Sequence, residues 1–200
     1  MKSATTGRLL PGLARAAVVL LALGVGPLAI GCAALRASDQ DPDFGTRFTY
    51  RGQNETTQAK LEGDRLFGAT IEISKVAPDT YAGRLHGMPT ELRLSPGKIT
   101  GNVGNLPTDL NVSWTGDTLR LQGIFGGAIG TLDVTPRVVR GKIGPCSYSM
   151  TREPPSAWYA GKSVCGKGLE FSDMALPRDL DARPLEERAI LVAMFLGSGP

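Results

Sequence analysis

A twelve-residue pattern recurs four times and leaves this chain few ways to fold. Gly83–Leu94 reads GRLHGMPTELRL, Gly101–Val112 reads GNVGNLPTDLNV, Gly123–Val134 reads GIFGGAIGTLDV, and Gly141–Arg152 reads GKIGPCSYSMTR. The third position is apolar each time (Leu85, Val103, Phe125, Ile143), and so is the tenth (Leu92, Leu110, Leu132, Met150). The twelfth holds Leu94, Val112 and Val134, and breaks the rule at Arg152. Two short alternating strands joined by a tight turn fit such a unit.

The alternation continues outside the repeats. Phe48 and Tyr50 alternate in TRFTY, and Gln53–Gly63 then reads as a polar interruption. Phe67, Ala69, Ile71 and Ile73 fall on one face, and Tyr81, Gly83 and Leu85 on the next. Period-two patterning with one wet face predicts antiparallel strands joined as hairpins. Turn chemistry lies between them at Ser95-Pro96-Gly97, Gly104-Asn105, Thr115-Gly116-Asp117, Gly126-Gly127 and Gly144-Pro145. No connection within the repeats has room for a helical crossover, which excludes parallel pairing there.

The expected fold is therefore mainly β. It is an antiparallel up-and-down meander of about ten short strands from repeated hairpins, curled into a small barrel or a sandwich. The leading glycines share the inward face with Leu or Val, and glycine weakens a strand unless something needs the room. Strong local coiling of the sheet is one reason; an aromatic such as Trp114 or Phe125 lying across the gap is another. A membrane barrel does not fit, because its strands need about 9–11 residues and an apolar exterior.

The first 31 residues carry Lys2, Arg8 and Arg15 and no acid, and an apolar run follows from Ala16 to Ile30. Fifteen residues interrupted by Gly24, Gly26 and Pro27 are short for a bilayer span, which takes about 20. Together they form a secretory signal rather than part of the fold. The run ends in Leu28-Ala29-Ile30-Gly31-Cys32, which resembles the lipobox of bacterial lipoproteins; Ala29 stands where the pattern favours Leu, Val or Ile. The resemblance implies that Cys32 is lipid-modified and becomes the mature N-terminus. It also implies a protein of the bacterial cell envelope held on the membrane by an N-terminal lipid anchor. Ala33 in the second mature position implies the outer membrane, facing the periplasm or the surface. A plain signal peptide cut elsewhere is the alternative.

An exported protein meets an oxidising compartment, where disulfides persist. Cys146 and Cys165 flank Pro154-Pro155-Ser156, and their midpoint falls between Pro155 and Ser156. A hairpin turning there pairs Cys146 with Cys165, Tyr148 with Ser163 and Met150 with Gly161. The expected bridge has its Cα atoms about 4.4–6.8 Å apart. Two buried free thiols are the other reading.

Charge then excludes a function class. The chain has 22 basic and 19 acidic side chains, and removing Lys2, Arg8 and Arg15 leaves 19 of each. Binding to nucleic acid or to anionic lipid through a basic patch needs clustered positive charge, so no such patch and no nucleic-acid partner is expected. Asp39, Asp41 and Asp43 alternate like the start of a calcium loop, but Phe44 occupies the turn-glycine place and Tyr50 the closing-glutamate place. Gly161-Lys162-Ser163 lacks the earlier glycine of a phosphate loop, since Ser156 stands there. His86 is the sole histidine, with no ligand or triad partner at a useful spacing, and reads as a surface residue. No metal, cofactor or catalytic residue is expected.

The chain divides into a signal (1–31), a flexible tether (32–45) and a β-meander domain (46–170). A linker (171–183) and a C-terminal helix (184–197) packed on the β-domain complete it. Leu185, Ala189, Val192 and Leu196 share one helical face, and the helix is expected to cap the open end or apolar face of the sheet. Two functions follow as expectations. One is a non-enzymatic envelope lipoprotein with a structural or interaction role, contacting the membrane and other envelope proteins. The other is a barrel-like binding module for a small hydrophobic ligand. A cavity of about 300 Å3 or more beside the glycines would favour the ligand.

Overall fold

The computed structural model describes residues 44–53, 55–166 and 168–199. Cys32, the signal and the tether up to residue 43 lie outside the described residues. Fourteen antiparallel strands form a closed barrel, each paired with its neighbours in sequence. They are β1 (Arg47–Arg51), β2 (Thr56–Glu62), β3 (Arg65–Gly68), β4 (Ile71–Ala77), β5 (Thr80–Leu85), β6 (Met88–Ser95) and β7 (Lys98–Val103). Then come β8 (Leu106–Thr115), β9 (Thr118–Phe125), β10 (Ala128–Val134), β11 (Val138–Ile143), β12 (Cys146–Thr151), β13 (Trp158–Cys165) and β14 (Leu169–Ala175). β1 pairs with β14, with Thr49 opposite Ala175, so no edge strand is left open.

The kind of fold is the one expected, but the strand number is fourteen rather than about ten. Three local patterns account for the difference. The stretch read as a polar interruption is β2, whose TTQAKLE shows only Ala59 and Leu61 to the core. A turn at residues 69–70 divides the run from Phe67 to Ile73 into β3 and β4, so Leu66 faces the core opposite Ile73 and Phe67 does not share their face. The expected linker begins inside β14. That strand inverts the usual pattern, with Ser172 and Met174 buried while Leu169 and Phe171 are exposed.

The helix α1 (Leu185–Gly197) covers the apolar face of the sheet, one of the two placements expected, and because the sheet is closed it does so from inside the barrel. Its first turn lies among the β4–β5 and β6–β7 connections, where Lys75 bonds Glu187 and the Gly97 N–H donates to Glu186. Its last turn lies at the opposite end, where the Tyr148 hydroxyl donates to the Leu196 carbonyl at 2.9 Å. Thirteen residues at about 1.5 Å each give about 20 Å, the height of tilted strands of this length. Every residue from Ala189 to Gly197 is buried, so the helix is apolar all round rather than on one stripe.

Strand number explains why the helix is there. Eight strands close on an interior that side chains alone can fill, and diameter grows with strand number. Fourteen strands about 4.8 Å apart enclose a wider space, and a helix of about 10–12 Å diameter occupies it. Phe195 packs against Phe48 of β1 with ring centroids 5.0 Å apart.

The repeated glycines curl the strands. Gly101 has φ +140°, and a Cβ there would strike the Glu91 carbonyl oxygen of β6. Gly83, Gly123 and Gly141 make the same close approach to Glu72, Asp109 and Thr131. Only hydrogen fits between two backbones at such a kink, so coiling accounts for these positions, and at Gly141 the aromatic Tyr148 also stands directly opposite on β12. Each kink falls two residues before its strand ends, at the same end of the barrel.

Candidate functional site

The two ends of the barrel differ in kind. At the charged end, the connections carry Asp64, Asp79, Asp117, Arg137, Arg152 and Glu153, and the short helix Arg178–Ala182 packs there. Ion pairs fasten the first turn of α1: Lys75 Nζ lies 2.6 Å from Glu187 Oε1, and Arg183 Nη1 lies 3.4 Å from Glu187 Oε2. Arg183 also donates to the Gly63 carbonyl. Arg188 donates to the Asp181 carbonyl at 2.8 Å and lies over the Trp114 ring at 5.2 Å.

A cavity of ≈120 Å3 opens there among Trp114, Arg152, Tyr159, Asp181 and Arg188. Two of its polar side chains, Tyr159 and Arg188, are engaged by the fold. The Tyr159 hydroxyl donates to the Thr135 carbonyl at 2.9 Å, and Arg188 is held by two backbone carbonyls. Burial raises the Tyr159 pKa and keeps that hydroxyl a donor. This cavity is a seam between barrel and helix.

The opposite, glycine-turn end has no lysine, arginine or acid in its five central connections, residues 69–70, 86–87, 104–105, 126–127 and 144–145. His86, exposed as expected, sits in one of them with φ +49°, in the tight turn with Gly87. A cavity of ≈290 Å3 opens between these turns and the end of α1, lined by Leu85, Met88, Val103, Leu106, Phe125 and Gly197 among others. It lies at the mouth of the barrel, and the glycine kinks do not create it.

Eight large apolar side chains are exposed among the described residues, and six of them stand at this end. They are Met88, Leu106, Ile129, Val164, Leu169 and Phe171, whereas only Val76 and Trp114 stand at the charged end. Scattered exposed apolar residues are ordinary; concentration at one end of a barrel marks a contact surface.

The expected disulfide forms. Cys146 is bonded to Cys165 with Cα atoms 4.3 Å apart, just below the expected range. The register has Cys146 opposite Cys165, Tyr148 opposite Ser163 and Met150 opposite Gly161. The bridge joins β12 and β13 beside the last turn of α1, where a Cβ on Gly199 would lie 3.2 Å from Cys146 Sγ.

One polar cluster escaped the sequence reading. The Tyr50 hydroxyl lies 2.6 Å from Ser163 Oγ and donates to Glu170 Oε1 at 2.8 Å, while Ser172 donates to Ser163 at 3.0 Å. Burial raises the Tyr50 pKa against the hydrogen bonds from the two serines, which lower it. The cluster ties β1 to β13 and β14 across the closure, and its one sequence signal was polar residues at inward positions of β14. No group of three or more His, Cys, Asp or Glu able to hold a metal occurs among the described residues. The chain matches no family model, no curated protein and no solved structure.

Proposed function

We propose that this protein is a lipid-anchored, non-enzymatic component of the bacterial cell envelope that works by contact through the glycine-turn end of its barrel. The observation that supports this reading is the one-sided placement of exposed apolar side chains, six of eight at the end whose central turns are uncharged. The residue that sets the address is Cys32, with Gly31 before it and an apolar run leading in. Lipid chains on that residue hold a protein to a membrane at about 0.8 kcal/mol per buried methylene.

Fractionation of cells expressing the Cys32→Ser chain tests the address. The variant is expected in the soluble fraction, with the wild-type chain in the membrane fraction. Retention of the variant with the membranes would refute lipidation at Cys32.

The mouth of the barrel supports a second reading, a binding module for a small hydrophobic ligand. Its ≈290 Å3 cavity is near the lower bound for a ligand pocket, and leucine, valine, methionine and phenylalanine dominate its lining. The helix excludes the rest of the lumen from that role, because residues 189–197 are buried against the barrel wall.

A further inference from the structure

We infer that the glycine-turn end of the barrel rests on a lipid surface, as a contact separate from the Cys32 anchor. The exposed apolar residues lie along one arc of the rim, from β6 to β14. Met88 lies on β6, Leu106 on β8, Ile129 on β10, Val164 on β13, and Leu169 and Phe171 on β14. An arc that runs over several strands matches a flat apolar layer; a peptide or helix would need a groove on one side.

The outward side chains of β14 make the point most sharply. Leu169 and Phe171 are 63% and 65% exposed, while Ser172 of the same strand is buried. Ile129 is 74% exposed at the start of β10. This arrangement costs solubility and gains nothing from the barrel's own core, so it needs an apolar neighbour.

Charge near the rim is balanced, and its cations stand behind the apolar side chains. Arg84, Lys142 and Lys162 face outward close behind it, and Lys162 Nζ lies 5.6 Å from the Phe171 ring centroid. Cations behind an apolar edge sit at headgroup level when the edge enters the acyl boundary. Acids stand at the same depth: Glu72 lies opposite Arg84, the Glu170 carboxylate accepts from Tyr50, and Glu91 and Asp109 pair with Arg93 and Lys98. Glu55 lies in the β1–β2 connection.

Chain length permits this orientation. The described residues begin at Phe44, next to β1, whose first residue Arg47 is at the charged end. Eleven residues separate Phe44 from Cys32 and reach at most about 40 Å when extended. The barrel is about 20 Å tall by the length of α1. A chain anchored at Cys32 can therefore pass the barrel wall and leave the opposite end against the same bilayer.

The inference takes its setting from the proposed address, but its test does not depend on lipidation. The mature chain from residue 32, carrying Cys32→Ser, retains every described residue and no lipid. Its co-sedimentation with vesicles of phosphatidylcholine mixed with phosphatidylglycerol is compared with that of three further substitutions, Ile129→Ser, Leu169→Ser and Phe171→Ser, added together. Circular dichroism confirms that both fold alike, since all three side chains are exposed. The unlipidated chain is expected to bind, and the triple variant to lose about tenfold or more of its partitioning. Val76→Ser, at the charged end and 63% exposed, is expected to bind like the parent. Absence of binding by the parent, or equal binding by the triple variant, would overturn the inference. So would a parent dimer that the triple variant converts to monomer with unchanged vesicle binding, which would assign the rim to a second copy of this chain.

Discussion

At one end of this barrel charged residues hold the helix in place; at the other the same helix ends among apolar side chains and uncharged turns. At the charged end the polar groups around the start of the helix are spent internally. Glu187 accepts from Lys75 and Arg183, and Arg188 donates to the carbonyls of Asp181 and Arg183. The glycine-turn end leaves outward apolar side chains uncovered, with Ile129, Leu169 and Phe171 all more than half exposed. The contrast separates stability from function: the first end fastens the fold, and the second presents a surface.

The largest effect is expected from removing the helix. A chain ended after Ala175 loses the filling of a fourteen-stranded interior, including Phe195 against Phe48 and Leu196 bonded to Tyr148. Side chains alone do not close a barrel of this size, so the truncated chain should aggregate and lose its cooperative thermal transition. A soluble truncation of undiminished stability would show that the helix fills nothing.

Glycine substitutions sharpen the comparison on a smaller scale. Gly101→Ala puts a Cβ against the Glu91 carbonyl at a φ of +140°, near the glycine-turn end. Gly116→Ala, in a turn at the charged end with φ +63°, meets nothing within 4 Å. Denaturant unfolding should show a loss of about 3 kcal/mol or more at Gly101, because backbone strain and a clash with main chain combine. At Gly116 the loss should be about 1–2 kcal/mol, from the backbone conformation alone. Equal losses would mean that the repeated glycines are ordinary turn residues and do not set the curl of the sheet.

Much of this architecture was legible in the sequence, for a local reason. A hairpin centred between Pro155 and Ser156 has one symmetric register, and Cys146, Tyr148 and Met150 found their partners from that alone. The leading glycines recurred at a fixed place, and their close approach to the neighbouring strand is a property of each hairpin taken singly. Closure was different, because Thr49 pairs with Ala175 across almost the whole domain and no periodicity spans that distance.

The helix position had a signal that went unread. AILVAMFLG, residues 189–197, has no polar side chain on any face, and such a helix belongs inside rather than on a surface. The candidate site was nearly invisible in sequence. Met88, Leu106, Ile129, Val164, Leu169 and Phe171 each stand alone among alternating residues, and only closure of the barrel brings them to one rim. β14 carried the best clue, since its apolar residues fall out of phase with its buried ones.

The most direct measurement uses the two tryptophans that nature placed at the far end. Trp114 and Trp158 both lie at the charged end, at the close of β8 and the start of β13. Phe171→Trp adds a third at the opposite rim. With vesicles containing brominated phosphatidylcholine, the added fluorescence of the Phe171→Trp chain should be quenched, while the emission of the parent chain stays unchanged. Quenching of the parent tryptophans, with none at position 171, would place the charged end on the lipid and contradict the account.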